Sequence, residues 1–101
     1  MPIFMKIEKG KSKNKKWKAT FSHLVDGKSK KIKTVQFGSK GMDDFTITKD
    51  KDQKQRYLDR HRKREDWNDY MSAGALSRWI LWNKPTLEAS VKDYKKRFKL
   101  K

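Results

Sequence analysis

Residues 16–37 read KWKATFSHLVDGKSKKIKTVQF, and the spacing of their apolar side chains decides the fold. Trp17, Ala19 and Phe21 alternate with Lys16, Lys18 and Thr20, the period of two that marks a half-buried strand. Asp26-Gly27 is a pair that tolerates positive φ at both central positions of a tight hairpin. A further strand follows at about Lys31–Phe37. A plain two-residue turn would pair Phe21 with Ile32 and Trp17 with Gln36, leaving Val35 and Phe37 on the wrong face. A register one residue longer pairs Ala19 with Val35 and Trp17 with Phe37. The spacing therefore predicts a bulge or a three-residue turn. Upstream, Ile3, Met5 and Ile7 alternate with Phe4, Lys6 and Glu8, and Gly10–Asn14 reads as the connecting turn.

Downstream the period changes to that of helices. Asp50 with Gln53 has the form of a capping box and opens a helix to about Arg64. Tyr57, Leu58 and His61 share its inner face, while Arg56, Arg60 and Lys63 form a row along one flank. Ser72 caps a second helix through Trp82, apolar nearly all round and hence central. Asn83-Lys84-Pro85 stops it, and Thr86 starts a third. There Leu87, Val91, Tyr94 and Phe98 line one face, with Lys92, Lys95, Lys96 and Lys99 opposite. The expected fold is α+β: one domain over residues 1–101, with a three-stranded antiparallel sheet in the Lys-rich segment 1–40. Three helices follow in the Arg-containing segment 50–100.

The 101 residues include 28 Lys and Arg against 12 Asp and Glu, a net charge of +16. Charged residues make up 40% of the chain and apolar residues 34%, which by themselves suit a disordered segment. Aromatics at 12%, four of them Trp, argue for a packed core, since each can bury roughly 150–250 Å². There is no Cys, so disulfides and thiolate metal sites are excluded. The longest run of large apolar side chains, Trp79-Ile80-Leu81-Trp82, is far short of the ~20 residues of a spanning helix. Met1–Phe4 leads straight into a strand pattern with no apolar signal-peptide core, so the expected protein is not secreted.

An enzyme is not expected. His23 and His61 are the only histidines, no G-x-S-x-G occurs, and Gly38-Ser39-Lys40-Gly41 lacks the context of a phosphate-binding loop. Asp43-Asp44 and Asp50/Asp52 read more simply as turn residues and caps than as metal ligands. No cofactor and no metal are expected. Nucleic acid is the partner that the charge favours. A net charge of about 2–8 keeps a small domain soluble, and this chain carries far more. The expected phosphate contacts are Arg56, Arg60, Arg62, Lys63 and Arg64, the helix lysines Lys92, Lys95, Lys96 and Lys99, and a strand stripe of Lys16, Lys18, Lys31 and Lys33. Nothing has the form of a zinc finger, a basic zipper or an aromatic RNA-recognition strand, so binding without sequence preference is expected. The run 60–64 also reads as a nuclear localisation signal. Arg64 and Arg78 have Glu65, Asp66 and Asp69 as candidate partners, and Gly74 suits a close packing contact.

Asp44-Phe45-Thr46, then Arg56-Tyr57-Leu58-Asp59-Arg60-His61, then Arg64-Glu65-Asp66-Trp67, and finally the run AGALSRWILWNK over 73–84, occur in this order. In these motifs the chain resembles a family of small basic proteins of unassigned function. That family is encoded by nucleocytoplasmic large (giant) DNA viruses and some other aquatic viruses. The resemblance spans about Ile3 to Leu100 and departs at Lys51, where relatives often have Pro. It implies a viral origin and a virion- or genome-associated role, and supplies no catalytic residue. The expected function is thus a viral protein that packages or compacts duplex DNA, found in the virion or in the host cytoplasm or nucleus. The alternative is a minor capsid or cement protein whose basic surface meets acidic proteins or anionic lipid. A third reading is an RNA-binding or host-factor regulator. Oligomeric state is left open.

Overall fold

The computed structural model describes residues 2–101. Strands β1 (Phe4–Lys9), β2 (Lys15–Val25) and β3 (Lys28–Ser39) form an antiparallel sheet in the order β1-β2-β3. A single turn of helix α1 (Phe45–Thr48) and then α2 (Lys51–His61) follow. Helix α3 (Ala73–Leu76) runs on as a π-helical turn over Ser77–Leu81, and α4 (Leu87–Arg97) ends the helical half. The architecture is the expected α+β sheet-then-helices arrangement in one domain.

The longer hairpin register is the observed one: Ala19 lies opposite Val35 and Trp17 opposite Phe37. The turn itself has two residues, Asp26 and Gly27, at φ 51° and 77°. The extra residue is Ile32, which falls in a bulge where Phe21 faces Lys33 and Ser22 faces Lys31. This restores the phase of β3, so Met5, Ala19, Phe21 and Phe37 all turn to the helices and are buried. The helices return Leu76, Ile80, Leu81 and Tyr94 against that face. Burying each such side chain contributes about 1.5–3 kcal/mol relative to leaving it in water.

The outer edge of β1 is covered by the end of the chain. Ile3 and Leu100 form a parallel bridge, with Met5 N–H donating to Lys101 O (2.9 Å) and Lys101 N–H to Ile3 O (2.8 Å). The other edge, β3, has no neighbouring strand among the described residues.

Asp50, Ser72 and Thr86 cap α2, α3 and α4 as expected, each side chain accepting from N–H groups of the first turn. Gln53 does not complete the capping box. Its Oε1 accepts from the Thr48 hydroxyl (2.7 Å), and Thr48 Oγ1 accepts the Asp50 N–H (3.3 Å). Helix α2 stops at His61 rather than near Arg64. Beyond it, Asp66 accepts from Asn68 N–H (2.9 Å) and Asp69 from Met71 N–H (3.2 Å), local bonds that compete with helix continuation. In the π turn, Trp82 N–H donates to Ser77 O (3.1 Å). The wider turn brings Leu81, five residues after Leu76, onto the buried face beside Ile80. Among the described residues no helix is long and apolar enough to cross a membrane.

Gly38 joins the sheet to the π turn. Its φ is +76°, and a Cβ there would stand 2.8 Å from Leu81 Cδ1. Gly38→Ala is expected to cost about 1–3 kcal/mol in urea denaturation, because positive φ and an overpacked contact act together. A midpoint equal to that of the wild type would refute this.

Candidate nucleic-acid interface

Helix α2, the loop after it, the π turn and α4 converge on one cationic, aromatic patch. Its framework is a chain of rings. Trp82 stacks on Tyr57 (centroids 4.4 Å, planes 9° apart), and Tyr57 stacks on His61 (4.1 Å, 23°). His61 Nδ1 lies 2.7 Å from Glu65 Oε1, and Glu65 Oε2 accepts from Trp67 Nε1 (3.1 Å). Trp67 O accepts from Trp79 Nε1 (2.9 Å). Gly74 makes room for Glu65, since a Cβ there would meet its carboxylate oxygen at 2.9 Å. These contacts hold Glu65, so it is not the partner of Arg64 or Arg78. No ion pair of either arginine occurs among the described residues.

Arg78 closes the chain. Its guanidinium lies 4.0 Å from the Trp79 ring centre and 5.3 Å from that of Trp67, and its Nη1 donates to Trp82 O (3.0 Å). Its Nε is buried with no hydrogen-bond partner among the described residues. Burial holds the Arg78 pKa below the usual arginine range, and the fields of Arg97 and Arg62 add to that, against Tyr57 and Asp93. Arg97 stands 3.7 Å from the same Trp79 ring centre. Asp93 lies 3.4 Å from Arg97 Nη2 and also accepts from Asn83 Nδ2 (2.7 Å). Lys54 donates to Asn83 O (2.8 Å) and lies over Phe45. Burial first, then Arg78, Lys84 and Lys51, push the Lys54 ammonium pKa down. Lys54 and Arg78 are half-buried among exposed cations, and an anion placed against such a group of like charges relieves its repulsion.

The expected contact residues are distributed unevenly. Arg56 and Arg60 are exposed on α2, but Arg62, Lys63 and Arg64 lie beyond its end, so the row through Lys63 is not helical. Arg60 lines a cleft of about 370 Å³ with Lys15, Tyr57 and His61, away from Arg62, which acts on Arg78. Lys92 and Lys96 are exposed on α4, whereas Lys99 lies past the helix with φ 55°. Lys95 turns toward Lys6 and Lys101 at the β1 edge.

The strand stripe does not form. Lys16 pairs with buried Asp44 (2.7 Å), and Lys18, its side chain 13% exposed, sits 3.8 Å from Glu8. Lys31 and Lys33 are exposed, but the bulge sends them to opposite faces of the sheet. The patch residues that sequence reasoning missed are Lys54, Lys84 and Arg97, with Arg78 weighed only as an ion-pair partner. The signal for Arg78 was a single cation in the most apolar run, flanked by tryptophans. Among the described residues no three His, Cys, Asp or Glu side chains gather to hold a metal ion.

The model of a family of unknown function (DUF5754) matches residues 5–61, which cover the sheet, α1 and α2. No curated protein and no solved structure matches the chain.

Proposed function

We propose that this chain, which belongs to that family of unknown function, binds duplex DNA without sequence preference through phosphate contacts. The observation that carries the reading is the pair Arg78 and Arg97 on the Trp79 ring, with Arg62 near enough to act on Arg78, and Lys54, on which Arg78 and Lys84 act, beside them. Guanidinium groups held on aromatic rings present their free edges in a fixed plane, which suits bidentate phosphate contacts. Binding releases counterions, and no base edge has to be read. The viral resemblance gives the setting: a virion- or genome-associated protein that packages or compacts DNA.

Fluorescence anisotropy on a random-sequence duplex, with salt varied from about 50 to 300 mM, tests this. If about 5–8 phosphates are engaged, the log–log salt slope is roughly −4 to −7. The triple variant R62Q/K84Q/R97Q is expected to bind more weakly, with a slope shallower by about 2–3. A slope near zero refutes the reading. Weak binding, equal for DNA and heparin and gone at physiological salt, assigns the charge to acidic protein or anionic lipid, as in a capsid or cement protein.

A further inference from the structure

The sheet carries a second cationic feature that the patch does not use. β1 pairs with β2 only as far as Ser22, opposite Phe4. Beyond that point β2 and β3 continue as a two-stranded ribbon through Ser22–Lys31, His23–Lys30, Leu24–Ser29 and Val25–Lys28 to the Asp26-Gly27 turn. At about 3.4 Å per residue the ribbon projects roughly 15 Å from the body. The molecule is accordingly elongated, 47 × 28 × 25 Å.

We propose that this ribbon is an arm that lies in the major groove of duplex DNA. The inference rests on the DNA-binding reading and adds the groove and the element that enters it. Three observations carry it. The first is charge: Lys28, Lys30, Lys31 and Lys33 are all exposed, and none has an ion pair or a side-chain hydrogen bond among the described residues. Asp26 is the only carboxylate on the arm. The second is the placement of the lysines beyond the bulge at Ile32. Lys31 stands opposite Ser22, on the sheet's outer side. Lys30 and Lys28 stand opposite His23 and Val25, on the side that Phe21 takes in the body, and Lys33, opposite Phe21, marks the base of the ribbon. Cations therefore stand on both faces of the ribbon, as a groove walled by two phosphate backbones requires. The third is size and surface. A two-stranded ribbon fits the major groove, about 12 Å wide, and is too broad for the minor groove at about 6 Å. Leu24 (47% exposed) and Ile32 (42% exposed) give the arm apolar side chains for sugar and thymine-methyl contacts.

Lysines on an open edge strand also guard against edge-to-edge aggregation, and the experiment separates that role from groove binding. Two variants each remove four charges. K28Q/K30Q/K31Q/K33Q strips the arm, and K9Q/K11Q/K13Q/K40Q strips exposed lysines at the other end of the hairpin. Both are titrated against a random-sequence duplex. The arm variant is expected to lose about 100-fold in affinity, with a salt slope shallower by about 3, and the control to lose far less. The wild-type protein is also titrated on a duplex whose major groove is filled by glucosylated 5-hydroxymethylcytosine, and on one whose minor groove is filled by netropsin. Filling the major groove is expected to weaken binding at least about tenfold, and netropsin to leave it unchanged. Equal losses in the two variants, or displacement by netropsin alone, overturn the arm while leaving DNA binding in place. Absence of wild-type binding to the unmodified duplex overturns both.

Discussion

Asp44→Ala is expected to remove about 3–5 kcal/mol of stability. That is a large part of the roughly 5–15 kcal/mol that holds a domain folded. Asp44 is 2% exposed and accepts from Lys16 Nζ (2.7 Å), from Thr46 N–H (2.9 Å) and from the Thr46 hydroxyl. Lys16 is itself covered, its side chain 15% exposed, and also donates to Met42 O. Alanine at 44 removes the cap of α1 and strands an ammonium that has little water to fall back on. The lost partner, rather than the pair's own attraction, dominates the cost. A double variant, K16M/D44L, is therefore expected to recover most of the stability. Urea denaturation followed by circular dichroism measures both. A single-variant loss under about 1 kcal/mol, within the range of an ordinary exposed pair, would sink the argument.

Alkali is the second large effect. Burial pushes the phenol of Tyr57 up, and the field of Glu65 adds to it, outweighing the Ser77 hydrogen bond and the Arg78 and Arg60 cations. Burial also raises Tyr94, with Asp69 and Tyr70 acting the same way. Tyr94 is 0% exposed, and its hydroxyl donates to Tyr70 O. In the unfolded chain both phenols ionise near about pH 10. Above that pH the unfolded state has released protons that the native state keeps, so stability falls as pH rises. Below it the contribution is fully present. Each tyrosine removes up to about 1.4 kcal/mol per pH unit, and the two together about 2.7. Urea midpoints measured from about pH 9 to 12 should drop steeply above about pH 10. Tyr94→Phe should halve the slope, and phenolate absorbance should rise together with unfolding. Ionisation of both phenols in a still-folded protein would contradict this.

Elements set by near neighbours were legible in the sequence. The alternation through Trp17, Ala19 and Phe21 fixed which residues of β3 had to face the core, and so required the extra residue found at Ile32. Asp50, Ser72 and Thr86 are caps because a short polar side chain before an apolar period has little else to do. Contacts between distant segments were not legible. Nothing local marks Lys16 as the partner of Asp44, 28 residues on, or Leu100 as the neighbour of Ile3. The π turn was hidden because AGALSRWILW satisfies a helical pattern at several phases, and packing chooses among them. The site suffered most. A lysine reads the same in sequence whether it is free, as Lys31 is, or tied to a carboxylate, as Lys16 is. The convergence of Arg78 and Arg97 on one indole depends on α4 crossing the π turn.

The bulge at Ile32 also bears on how such a chain can change over generations. The pairs on either side of it keep their partners whether or not the extra residue is present. A bulge bends its strand and increases the local twist. Loss of the Ile32 codon would thus leave the core face intact and straighten the hairpin's exit from the body. Gain of a codon at the same place would bend it further. The aim of the hairpin is written in the length of the gene at one site, where a single in-frame step can alter it without disturbing a core side chain.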